Sequence, residues 1–219
     1  MINWKLIYKV LGQLLFIEAS LLLLSLLVAV YYQQEDIFAF IVATLTTIGG
    51  GLILKWRGHG ADNSMSRRDA YLVVSLSWII FSLFGTLPIM VSGYINHFTD
   101  AYFETMSGFT TTGATILTDV EAMPRGILFW RALTQWMGGM GVLVLFLALM
   151  PRTGAGAVHL MRAESPGPIK SKLLPHVSDT AKVLYGIYIG LTAAEIVALC
   201  LAGMDFYEAV LHSFSTIST

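Results

Sequence analysis

Phe109-Thr110-Thr111-Thr112-Gly113-Ala114-Thr115 is a polar run set between long apolar segments. It follows residues 100–108, a stretch too short to cross a bilayer, since a spanning helix needs roughly 20 apolar residues. The run therefore lies where a chain has entered the membrane and must return. Irregular backbone is tolerated at that depth only when it is buried in protein or lines a watery cavity. Two readings follow. The first is an ion filter, in which backbone carbonyl oxygens replace the hydration shell of a cation. The second is a threonine- and glycine-rich re-entrant turn that only packs.

The segment before the run predicts a half-helix. Thr99 or Asp100 is placed to cap it. Tyr102, Phe103, Met106 and Phe109 recur at helical spacing and form its expected apolar side. About ten residues at 1.5 Å each give roughly 15 Å, half the hydrocarbon thickness. The C-terminal end would carry about half a negative charge and point toward the bilayer centre, where it favours a cation. Gly113 permits a positive φ, so the returning strand can turn its carbonyls inward.

Composition agrees with a membrane setting. Of the residues, 56% are hydrophobic and only 12% charged, which excludes a disordered chain and predicts several spans. Five segments are long enough: 10–32, 37–54, 71–95, 127–150 and 183–204. The first is longer than a signal-peptide core and is followed by no clear cleavage site, so it is expected to stay. With the N-terminus in the cytoplasm, all of the 13 basic residues except Arg125 and Arg131 fall on the inner side. That is a strong positive-inside bias. Glu35, Asp36, Asp100, Glu104, Asp119 and Glu121 fall in the outer segments.

Ionisable residues inside spans are functional candidates by default. Arg131 is close enough to the outer surface to snorkel. Glu18 faces the bundle with no partner to name. Gly138, Gly139 and Gly141 read best as a close helix contact. The lone cysteine, Cys200, reads as a small apolar residue. The five histidines share no metal-ligand spacing, and no nucleophile–base pair or HExxH marks an intramembrane enzyme. The glycine-rich stretch 154–172 lacks a phosphate-binding GxxxxGK[ST] loop.

The pattern then begins again. After the span at 183–204, Asp205, Tyr207, Phe214 and Thr216 repeat Asp100, Tyr102, Phe109 and Thr111 without a gap. The sequence reaches Thr219 inside what would be a second filter. Internal repeats are a common transporter plan.

Three motifs together resemble the membrane subunits of Trk-type potassium uptake systems, the TrkH/TrkG family, in a superfamily with KtrB and the plant HKT proteins. They are Phe109-Thr110-Thr111-Thr112-Gly113-Ala114-Thr115, Gln135-Trp136-Met137-Gly138-Gly139-Met140-Gly141, and Arg162-Ala163-Glu164-Ser165-Pro166-Gly167-Pro168 with Thr180-Ala181-Lys182. The resemblance implies an all-α membrane protein of span–pore-helix–span repeats resembling a K⁺ channel, truncated within the second repeat. The implied parts are a leading helix pair (1–57), a cytoplasmic loop (58–69), a first repeat (70–151), a second loop (152–182) and the start of a second repeat (183–219). The implied site is a K⁺ filter with carbonyl ligands from Thr111 and Thr112, shaped by Gly113. Anchored on the filter glycine, Ser218 and Thr219 are their second-repeat counterparts. Gly113 implies K⁺ over Na⁺. The transported K⁺ is the only cofactor implied, and nothing implies nucleic acid. The implied partners are the lipid membrane, a cytosolic TrkA-like nucleotide-binding subunit and a second copy in a homodimer. The implied location is the bacterial cytoplasmic membrane. The competing expectation is a nonconducting fragment that assembles with a full-length transporter.

Overall fold

A computed structural model describes residues 2–62, 64–141 and 177–218. Among these residues the chain is helical: α1 (Trp4–Tyr31), α2 (Ile37–Arg57), α3 (Arg67–Gly85), α4 (Leu87–Val91), α5 (Phe98–Phe109), α6 (Arg125–Met140), α7 (Val177–Leu201) and α8 (Phe206–Ser218). Four segments are long and apolar enough to cross a membrane: Trp4–Tyr31, Ile37–Arg57, Arg67–Val91 and Ala181–Leu201. Their outward faces carry Leu24, Leu27, Leu45, Leu52, Ile187 and Val197, as lipid-facing surfaces do.

α1 and α2 form the most extensive helix–helix contact. The buried stripe of α1 runs through Leu11, Leu15, Glu18, Leu22, Ser25 and Ala29, alternating steps of four and three residues. Gly12 lies against the backbone of Gly51 and Lys55, so the two helices meet without side chains between them. Lys55 and Arg57 occupy the last turn of α2, where cations suit the helix dipole.

α3 starts with a reciprocal cap: Ser66 Oγ accepts from Asp69 N, and Asp69 Oδ2 accepts from Ser66 N. Asp69 Oδ1 also accepts from Asn3 N at 2.9 Å and ties the start of α1 to that of α3. The expected single span at 71–95 is stepped. Pro88 has no N–H to donate to the Phe84 carbonyl, and the helix breaks at Thr86 into α3 and α4. At the break the Gly85 carbonyl accepts from Trp130 Nε1 at 2.9 Å.

α5 packs between α3 and α6. It begins at Phe98 after His97, with no side-chain cap, so Thr99 and Asp100 lie in its first turn rather than at the cap. The expected apolar side coincides with the buried one only at Phe109. The buried residues of α5 are Ala101, Glu104, Thr105, Ser107 and Phe109, while Tyr102 and Met106 are half-buried and Phe103 is exposed. The polar Glu104, Thr105 and Ser107 thus lie inside, which amphipathicity read as for a water-soluble helix does not show.

The expected span at 127–150 is helical from Arg125 to Met140 and stops at Gly141, whose φ is +72°. An L side chain rarely takes that conformation, so a glycine is the natural stop. The rest of that segment lies outside the described residues. So do the 162–168 motif, the basic loop at 152–172 and Thr219.

Glu18 is completely buried, and neither carboxyl oxygen has a hydrogen-bond partner among the described residues. Its Oε1 lies beside Gly85, at the back of α5. An unsatisfied buried polar group costs about 1–3 kcal/mol. Glu18→Leu is therefore expected to raise the thermal midpoint of the detergent-solubilised protein. A lower midpoint would show that the carboxyl is satisfied by a partner it must keep.

Candidate functional site

The end of α5 is held from three sides. Phe109 is fully buried and meets Phe81 and Trp130 edge-on, with ring centroids 5.5 and 6.3 Å away. Gly108 lies against Thr134, and Gly138 lies directly against the Phe109 carbonyl. Gly138 and Gly139 of the second motif thus act by close packing. Gly138 sits at the end of α5 and Gly139 against Ser218 and Tyr188, so α6 joins the ends of α5 and α8.

Beyond Phe109 the chain closes on itself. Thr111 N donates to Gly108 O at 2.9 Å and Thr112 N to Ser107 O at 3.0 Å. These are the two bonds of a Schellman cap, with Thr111 in the left-handed position at φ +55°. A β-branched residue is seldom found there, and the conformation costs roughly 1–2 kcal/mol. Strain of this kind gathers at functional sites, where surrounding structure holds it. Gly113 follows at φ +72°, as the sequence predicts. The carbonyls of Thr111, Thr112 and Gly113 accept no hydrogen bond from any described residue. The Ala114 carbonyl does: Ser107 Oγ donates to it at 2.6 Å. The run of free carbonyls therefore ends at Gly113.

The returning strand is held by Glu104, which is 3% exposed. Its Oε1 accepts from the Thr115 hydroxyl and from Ile116 N at 2.6 Å. Its Oε2 accepts from Arg131 Nε at 3.2 Å and Nη2 at 2.8 Å. Two sequence expectations are corrected here. Glu104 is not an outer-loop charge, and Arg131 does not snorkel but is half-buried against Glu104. The signal was present: one isolated cation in a span and one isolated carboxylate in a half-helix at similar depth point to each other.

A cavity of about 780 Å³ opens between the strand, α6 and α8, lined among others by Gly113, Gln135, Glu121, Glu208 and His212. Trp136 ties α6 to α7 and α8. It stacks on Phe214 at 5.2 Å and donates through Nε1 to Thr192 Oγ1 at 3.0 Å. Ser218 is not in a filter strand. It is the last residue of α8 and donates to Ser215 O at 2.8 Å.

A clasp at the opposite end of α6 joins the leading helices to the second half-helix. The Arg125 guanidinium lies over the rings of Tyr32 and Tyr207, 4.3 and 5.3 Å from their centroids. The Tyr207 hydroxyl donates to Arg125 O at 2.6 Å. Asp36, assigned from the sequence to an outer loop, is buried and accepts from Ile127 N at 3.1 Å. Burial pushes its carboxyl above the usual carboxylate value, against the opposing pull of the backbone N–H groups of Asp36 and Ile127.

The fold and site define an α-helical membrane protein in which a half-helix and a returning strand are set between spans. A family model described as "Cation transport protein", TrkH, matches residues 33–219. The chain belongs to that family. It is 39% identical over 98% of its length to the Trk system potassium uptake protein TrkH of Halomonas elongata, and 38% identical over 99% to that of Escherichia coli K12. It is 36% identical over 94% to Escherichia coli TrkG. The crystal structure of the potassium transporter TrkH from Vibrio parahaemolyticus superposes with a TM-score of 0.80 at 33% identity, covering 98% of this chain and 43% of that one. The chain spans less than half the length of these relatives: 45% of the two TrkH proteins and 43% of TrkG.

Proposed function

We propose that this chain supplies the first filter strand, and the approach to the second, of a pore for K⁺ uptake across the bacterial cytoplasmic membrane. The observation that carries this reading is the set of three unpartnered carbonyls, Thr111, Thr112 and Gly113, held between a capped half-helix end and a braced strand. Bare K⁺ in hydrocarbon is prohibitively costly, on the order of 20 kcal/mol by idealised estimates. Carbonyl dipoles and the negative end of α5 offset that cost. Thr111 and Thr112 are the carbonyl ligands and Gly113 shapes the strand. Ser218 and Thr219 carry the matching role in the second repeat, and for Ser218 this requires the last turn of α8 to open. The names of the relatives support K⁺ as the ion.

The positive-inside distribution supports an N-terminus in the cytoplasm. The basic inner segments at 57–68 and 152–172 are the docking surfaces for a cytosolic TrkA-like nucleotide-binding subunit, and two copies of the complete protein form a dimer.

The test is rubidium uptake into proteoliposomes, comparing this 219-residue chain with the same chain extended to the full length of its relatives. Uptake by the extended form alone supports a filter divided among repeats. Uptake by the short chain would mean that several copies build a pore, and the division would be wrong. Silence from both folded proteins would favour the nonconducting reading.

A further inference from the structure

We infer that Glu104 is a positioning residue for ion selection, a brace that sets the first filter strand and that the second half-helix does not possess. The inference rests on the reading of residues 111–113 as filter carbonyls.

The two oxygens of Glu104 are divided in a way that an ordinary ion pair does not require. Oε2 alone takes the Arg131 guanidinium, through Nε and Nη2. Oε1 is given to the strand, accepting from the Thr115 hydroxyl and the Ile116 amide. Arg131 Nη2 reaches the same Thr115 hydroxyl at 3.3 Å. Charge-assisted bonds of this kind are shorter and stronger than neutral ones, and in a buried site they are little screened. Their target is the pair of residues just beyond Ala114, whose carbonyl Ser107 already holds. On the other side of Gly113, the cap at Thr111 and Thr112 fixes the chain. The three free carbonyls thus lie on a short bridge with both ends fixed, and Glu104 fixes the far end.

The second half-helix has no equivalent. Matched without a gap, Glu104 corresponds to Ala209; matched on the filter glycine, it corresponds to Leu211. Neither side chain can accept a hydrogen bond. The carboxylate brace is therefore particular to the first of the two half-helices among the described residues.

Three variants of the full-length transporter test this: Glu104→Gln, Arg131→Gln and the double Glu104→Gln/Arg131→Gln. Each is measured for rubidium uptake with sodium as competitor, and for amide hydrogen exchange across residues 114–117. Glu104→Gln is expected to lower rubidium-over-sodium discrimination about tenfold and to speed exchange at Ile116 by a similar factor. The double variant removes both buried charges together, so it should regain normal yield and a monodisperse profile. Its discrimination should nevertheless stay low, because the charged acceptor that holds the strand is gone. Recovery of discrimination in the double variant would show a merely structural ion pair and overturn the inference. Unchanged exchange at Ile116 in Glu104→Gln would overturn it too, and that reading holds whether or not the protein carries rubidium. Failure of the unaltered full-length protein to take up rubidium, with exchange at Ile116 still dependent on Glu104, would instead remove the filter reading and with it the role in ion selection.

Discussion

Gly138→Ala is expected to abolish uptake by the full-length transporter and to lower its thermal midpoint in detergent. A methyl group at position 138 would occupy the space of the Phe109 carbonyl, with Thr111 Cγ2 also in contact at 3.0 Å. The obstacle is backbone, which cannot swing aside as a flexible side chain does. The Phe109 ring is wedged between Phe81 and Trp130, so the half-helix cannot simply retreat. α6 must move outward instead. Overpacking of a filled interior costs about 1–3 kcal/mol. The displacement also reaches function directly, because the carbonyl that is pushed begins the turn leading to Thr111. Both effects are read together by thermal unfolding and by rubidium uptake with full-length protein. Normal uptake and a normal midpoint in this variant would show that α6 does not sit on the end of α5.

Gly113→Ser separates stability from selection. A Cβ at position 113 meets only Gln135 Nε2, at 3.9 Å, so a side chain there crowds nothing among the described residues. The cost lies in the backbone: a non-glycine residue in the left-handed region loses roughly 1–2 kcal/mol. At φ +72° the strand can relieve that cost by rotating peptide planes, and the carbonyls of residues 112 and 113 turn with them. The variant is expected to express and fold normally while K⁺ over Na⁺ discrimination drops about tenfold, the equivalent of about 1.4 kcal/mol. The measurement is sodium competition against rubidium uptake. Unchanged selectivity in folded protein would remove Gly113 from the filter.

Much of this architecture is legible in the sequence, for physical reasons. The long spans are visible because hydrocarbon demands continuous apolar runs. The half-helix is visible because 100–108 is too short for anything else, and the turn because Thr111 to Gly113 is polar where lipid forbids exposed polar backbone. The positive φ at Gly113 follows from the residue type. What escapes the sequence depends on pairing through space. Glu104 and Arg131 are 27 residues apart, and nothing local says that one carboxylate serves both the arginine and the returning strand. Asp36 has the sequence signature of a loop acid, and only the fold brings the N-terminus of α6 to it. The buried face of α5 is misread in part, for a different reason. Periodicity locates the apolar stripe, but of that stripe only Phe109 is fully buried, and the polar Glu104, Thr105 and Ser107 share the interior with it. The same holds for Arg125, whose two tyrosine neighbours come from a loop and a half-helix far apart in the chain.

Crystals of the full-length transporter soaked in thallium read directly whether backbone carbonyls at residues 111–113 hold the ion. The expected result is an anomalous-scattering peak in direct contact with the Thr111 and Thr112 carbonyl oxygens, lost when K⁺ is in excess. A strand without such a peak, with thallium bound instead at the carboxylates of Glu121 and Glu208 in the cavity, would contradict binding by these carbonyls.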